Sequence, residues 1–135
     1  MVGELNKIIL EEHKALKALL SALDEQFEHL TKREVFALDK IAATIEGCAR
    51  EVAKFEVQRR QLTNGQGMSE LVSQLKNEEL DNNYKNIKNL LEEIQLQKDT
   101  NELLIRQGLG FTTQMLNVLN PDKGPKTYNP YGKKR

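Results

Sequence analysis

The chain has no tryptophan, one cysteine, three prolines and no long apolar run in its 135 residues. Each shortage excludes something. A single cysteine, Cys48, rules out an intrachain disulfide and suits a reducing compartment. The three prolines, Pro121, Pro125 and Pro130, all stand near the end, so nothing before residue 121 forbids helix. No stretch approaches the ~20 apolar residues that span a bilayer. Membrane insertion is therefore not expected. Glu4 interrupts the start, and Ile8-Ile9-Leu10 is too short for the core of a secretory leader. Aromatic residues are only 5% while charged residues are 30%, a mixture poor for a broad core and good for helices that each bury one stripe.

The motifs of common catalytic and metal sites are missing too. The two histidines are His13 and His29, and the residues three before them are Leu10 and Gln26. The Glu-x-x-His pattern of carboxylate-bridged metal bundles fails at both. No zinc-binding His or Cys spacing occurs. Asn64-Gly65-Gln66-Gly67 lacks the glycine spacing and the following Lys of a phosphate-binding loop. No cofactor, no metal and no enzymatic activity are expected. Both histidines read as surface residues, and Cys48 reads as a small apolar residue on a buried stripe.

What the chain does have is helical periodicity. Leu5, Ile8, Ile9, Leu16, Leu19, Leu20, Leu23, Phe27 and Leu30 recur mostly every three or four residues, with Glu12 filling the gap, and predict a helix from Val2 to Leu30. Thr31-Lys32-Arg33-Glu34 has capping-box spacing and predicts the start of a second helix. Its stripe is Val35, Leu38, Ile41, Ile45, Cys48, Val52 and Phe55, running to Leu62, with Glu46–Arg50 and Glu56–Arg60 placed to pair on the outside. Gly65 and Gly67 end it. Ser69 can cap a short helix carrying Leu71, Val72 and Leu75, with a break expected at Asn82-Asn83. A last long helix carries Leu80, Tyr84, Ile87, Leu91 and Ile94. Polar Lys98 and Asn101 follow on the same stripe, then apolar residues up to Asn120-Pro121.

The expected architecture is all-α: an elongated antiparallel helical bundle or coiled coil of three long helices over residues 1–120, with residues 69–75 either a short extra helix or continuous with the last one. A flexible basic tail is expected over 121–135. That tail holds Lys123, Lys126, Lys133, Lys134 and Arg135 against Asp122, so at zero formal net charge the body is acidic. A structural coiled-coil adaptor or a nucleic-acid binder using this tail is the competing reading. The acidic body and the lack of a folded reading element argue against nucleic acid.

From Leu103 to Leu119 the last helix is apolar on more than one side. A helix of that kind in so thin a bundle offers one side to a partner. The side chains expected to hold a visiting amphipathic helix are Leu104, Leu109, Phe111, Met115, Leu116 and Leu119. A homodimer through the same surface is the competing use.

Three stretches carry a resemblance. They are Phe55-Glu56-Val57-Gln58-Arg59-Arg60-Gln61-Leu62 before Asn64-Gly65, Asn101-Glu102-Leu103-Leu104-Ile105-Arg106-Gln107 with Phe111 beyond, and Thr127-Tyr128-Asn129-Pro130-Tyr131-Gly132. In this order they resemble the FlgN-type flagellar export chaperones over nearly the whole chain. The resemblance implies a cytoplasmic chaperone that binds the C-terminal helical segments of two hook-filament junction proteins, FlgK-like and FlgL-like. It also implies delivery to the flagellar type III export gate, with Tyr128, and less directly Tyr131, as the gate contact. The basic end of the tail departs from the family's pattern and leaves another contact open.

Overall fold

The computed structural model describes residues 1–107. Four helices run in order: α1 Val2–Lys32, α2 Val35–Thr63, α3 Met68–Leu75 and α4 Glu78–Arg106. No strand occurs among the described residues, and the fold is all-α. The three long helices each carry an apolar seam at alternating steps of four and three. In α1 it is Leu5, Ile9, Glu12, Leu16, Leu19, Leu23, Gln26 and Leu30. In α2 it is Leu38, Ile41, Ile45, Cys48, Val52, Phe55, Arg59 and Leu62. In α4 it is Leu80, Asn83, Ile87, Leu90, Ile94, Gln97, Asn101 and Leu104. This seven-residue repeat is the coiled-coil pattern.

The seams are not used equally. Helix α1 is central: α2 and α4 each pack along it and scarcely touch each other. It accordingly buries more than a seam, taking in Asn6, Ala15 and Ala22 as well. Three hydrogen bonds from two asparagines set the direction of α4. Asn83 Nδ2 donates to Asn6 Oδ1 at 2.9 Å near one end, and Asn101 Nδ2 donates to the Leu23 carbonyl at 2.9 Å and to Gln26 Oε1 at 2.8 Å near the other. Both partners advance together, so α4 is parallel to α1. Helix α2 is antiparallel to both: Arg59 near its end meets Glu12, while Leu38 and Ile41 near its start join Leu30 of α1 and Ile105 of α4.

Two apolar clusters result. The larger gathers Leu5, Ile9, Leu16 and Leu23 with Leu80, Ile87, Leu90 and Ile94, closed at its end by Leu71 and Val72 of α3. The smaller holds Ala22, Leu30, Leu38, Ile41 and Ile105. Each fully buried leucine contributes ~1.5–3 kcal/mol. Between the clusters lies a polar layer: Asn101, 1% exposed, spans to Gln26 and Leu23 and accepts from Gln97 Nε2 at 3.0 Å. A buried amide that must find its partner disfavours register slips along an otherwise uniform leucine seam.

The turns differ from the sequence expectation at three places. Helix α1 runs through Thr31, whose hydroxyl donates back to the Glu28 carbonyl at 2.9 Å, and closes at Arg33 in left-handed geometry (φ 56°). The Arg33 and Glu34 amides donate to the Leu30 and His29 carbonyls. That double closure satisfies the end of α1 and pre-empts a capping box; Glu34 precedes α2 without a side-chain cap. Ser69 lies inside α3, which Gly67 precedes. The break before α4 falls at Lys76-Asn77, not at Asn82-Asn83, because Asn77 Oδ1 accepts from the Leu80 amide at 2.9 Å and the acids Glu78, Glu79 and Asp81 suit a helix start. Asn83 is instead tied to Asn6. The expected pairs Glu46–Arg50 and Glu56–Arg60 form at 3.3 and 2.9 Å. The turn after α2 uses two successive left-handed residues, Asn64 (φ 55°) and Gly65 (φ 78°).

Candidate functional site

Helices α2 and α4 both pack along α1, and they meet each other where Leu38 and Ile41 join Ile105. On the α2 side the seam is sealed only at Leu38 and Ile41; Ile45, Cys48, Val52, Phe55 and Leu62 are half-buried. At the end near α3 a cleft of about 370 Å³ opens between α2 and α4. Ile9 and Glu12 line it from α1, Glu56, Arg59 and Arg60 from α2, and Tyr84, Ile87, Lys88 and Leu91 from α4, with Gly65 to Met68 closing the end.

The charges in this cleft are largely committed. Arg59 donates to the buried Glu12 at 3.0 Å, and Arg60 to Glu56 at 2.9 Å. Among the described residues Lys88 has no carboxylate within ion-pair distance; its Nζ lies 5.2 Å over the Tyr84 ring. Leu91, beside it, is 47% exposed. The arrangement has no nucleophile next to a base. No cluster of three or more His, Cys, Asp or Glu residues that could hold a metal ion occurs among the described residues. The accessible apolar side chains of the cleft are Leu91 at the rim and the half-buried Tyr84 and Met68, with Lys88 beside them.

Of the side chains expected to grip a partner, Leu104 is described. It is half-buried against the Ala22, Leu30, Leu38, Ile41 and Ile105 cluster, so it belongs in part to the core. Its neighbour Leu103 points away and is 54% exposed. Leu109, Phe111, Met115, Leu116 and Leu119, and the tail residues Tyr128 and Tyr131, lie outside the described residues. Cys48 is half-buried on the α2 seam. His29 is more engaged than a surface reading implies: Nδ1 donates to Glu34 Oε1 at 2.7 Å and Nε2 to Glu25 Oε2 at 3.2 Å. The bond to Glu34 holds its pKa above the ordinary value of 6.5, with burial pulling it down and Glu25 adding to the rise. Sequence reasoning missed the cleft, because its walls come from three helices and the 65–68 turn brought together only in the fold.

Comparison with known proteins decides the kinship of the chain. The model of the FlgN protein family matches residues 1–135, the full length of the chain. The chain belongs to the FlgN family. No curated protein and no solved structure matches it. FlgN proteins are flagellar export chaperones, and the all-helical fold agrees with that family. No helix of the described residues is long and apolar enough to cross a membrane.

Proposed function

We propose that the chain is a cytosolic export chaperone that holds the C-terminal helical segments of FlgK-like and FlgL-like hook-filament junction proteins. It keeps them from assembling early and delivers them to the flagellar type III export gate. The observation that carries this reading is the end of α4. Leu103 stands exposed on its last turn, one residue from the half-buried Leu104. In sequence the seven-residue spacing of the α4 seam then continues through Phe111 and Met115. In sequence this exposed leucine is followed by the apolar run Leu109, Phe111, Met115, Leu116 and Leu119. An amphipathic helix of a cargo protein is the natural occupant of such a surface. Tyr128 and Tyr131 lie beyond it and serve the gate while the cargo is held.

The test is co-purification of a junction protein's C-terminal segment with the full chain. A Phe111→Asp/Met115→Asp double variant is expected to lose the complex and keep the helical content of the parent. Undiminished capture by that variant would refute the assignment. Tyr128→Ala is expected to retain cargo in the pull-down and to lower the amount of junction protein exported; normal export would remove the tail from the mechanism.

A further inference from the structure

We propose that Asn64-Gly65 is a site of spontaneous covalent modification, at which Asn64 loses its side-chain nitrogen and becomes aspartate or isoaspartate when the end of α2 opens. Asn64 is the one asparagine of the chain followed by glycine, whose backbone nitrogen no side chain shields. Both residues are exposed, in the turn at the closed end of the cleft. The other asparagines of the described residues lie within α1 or α4 or cap α4, each before a residue with a side chain. The chemistry consumes only water. The Gly65 nitrogen gives up its proton and attacks Asn64 Cγ. A C–N bond forms and closes a cyclic imide, the Cγ–Nδ2 bond breaks, and the nitrogen leaves as ammonia, taking up the equivalent of that proton. Water then cleaves the imide on one side or the other. One cleavage leaves an aspartate side chain on an ordinary backbone. The other leaves the chain joined through Cγ, one methylene longer, with the α-carboxylate free.

The folded turn holds this reaction back in two ways. Asn64 is left-handed, with φ 55° and ψ 35°, and that ψ puts the Gly65 nitrogen across the Cα–C bond from Cβ, out of reach of Cγ. The Gly65 amide also donates to the Arg60 carbonyl at 3.0 Å, which retains its proton. Both restraints go when the turn opens. What keeps it closed is the anchorage of the α2 end, Arg59 on Glu12 at 3.0 Å and the buried Thr63. The rate of conversion therefore reads the opening of that end. The product does not close the turn again as before. A carboxylate is disfavoured at a helix C-terminus, and the extra methylene of isoaspartate breaks the spacing that brings the Gly65 amide to the Arg60 carbonyl.

The experiment incubates the full chain in mildly alkaline buffer and locates each amide-to-acid conversion by peptide mass mapping. Conversion is expected at Asn64 ahead of every other asparagine, and about tenfold or more slower in the native chain than in chain unfolded by guanidinium. Arg59→Ala is expected to speed it about fivefold in native buffer and not at all in guanidinium, with circular dichroism checking that the variant folds. Asn64→Gly suits the left-handed position and is expected to fold as the parent does and to show no conversion in that peptide. Converted chain, separated by its added negative charge, is expected to exchange the Gly65 and Gln66 amides severalfold faster than the parent. Asn64→Asp should do so by less, because it has the charge without the extra methylene. Equal rates in native buffer and in guanidinium overturn the protection by the fold, as does a folded Arg59→Ala that converts no faster than the parent. Faster conversion at another asparagine overturns the site. Unchanged amide exchange in the converted chain overturns the loosened turn.

Discussion

Helices α2 and α4 have the same length, 29 residues, and the same seven-residue seam, yet the fold treats them differently. Helix α4 is held along its course: Leu80, Ile87, Leu90, Ile94, Asn101 and Ile105 are all buried. Helix α2 is held at its ends, by Leu38 and Ile41 at the start and by Arg59 on Glu12 and the buried Thr63 at the finish. Its middle, Ile45 to Phe55, is only half-covered. The difference teaches that a seam says which side of a helix faces inward and not how many neighbours will cover it. Coverage is a property of the three-helix arrangement, in which α1 serves both partners along their length and they meet each other where Leu38 and Ile41 join Ile105.

The comparison breaks most sharply in the cores of the two helices. Ile94→Ala in α4 is expected to cost about 3 kcal/mol, as a buried isoleucine loses its packing and leaves a cavity. Val52→Ala in α2 is expected to cost about 1 kcal/mol, because its site is half open to water and smaller. Urea unfolding of both variants measures this. Equal losses would mean that the α2 middle is as well packed as α4.

The polar ties come next. Arg59→Ala is expected to cost about 2 kcal/mol, since it strands Glu12, 6% exposed, without its partner. The open cleft beside the pair admits water and keeps the loss below that of a sealed ion pair. Asn101→Ala removes the amide joining Gln26, Gln97 and the Leu23 carbonyl, and is expected to cost a similar ~2 kcal/mol. The two losses should differ in kind. Arg59→Ala should loosen the far end of α2, seen as faster amide exchange there, while Asn101→Ala should affect α1 and α4. The same exchange pattern in both variants would show one cooperative unit with no independent α2 end.

Much of the scaffold was legible in the residues. Leu5, Ile9, Leu16, Leu23 and Leu30 lie where their spacing puts them, and the absence of proline before residue 121 allowed long helices. What was not legible depended on competition between local signals. Thr31-x-x-Glu34 looks like a cap, but the Arg33 closure used the end of α1 first. Asn82-Asn83 looks like a break, but Asn83 found Asn6, a partner 77 residues away that no local rule anticipates. Glu12 looked like a gap in a stripe and is a buried ion-pair member. The cation–apolar cleft required the path of residues 64 to 68, which bring the end of α2 to the start of α4.

A smaller effect concerns the turn that starts α2. Arg33 adopts left-handed geometry, which costs a residue with a Cβ about 1 kcal/mol relative to glycine. Arg33→Gly is therefore expected to stabilise the fold by up to about 1 kcal/mol, less the added freedom of the unfolded chain. A thermal melt that moved down would show that the Arg33 side chain contributes more than its backbone strain costs.

The smallest expected effect tests whether the sealed end of α2 is tied by charge as well as by Leu38 and Ile41. His29 stands between Glu34, which leads into α2, and Glu25 of α1, and its pKa is raised chiefly by the bond to Glu34. Both ring nitrogens face carboxylates, an arrangement that favours the doubly protonated ring. A raised pKa in the folded state means that the stabilisation is fully present below the unfolded value and is lost as pH rises through the folded one. Stability of the parent should thus decline as pH rises above the ordinary histidine value of 6.5, relative to His29→Gln, whose profile lacks this component. Glu34→Gln should flatten the decline more than Glu25→Gln, since the Glu34 bond is the shorter at 2.7 Å against 3.2 Å. Parallel profiles for the parent and His29→Gln would leave the α2 start held by its leucine and isoleucine alone.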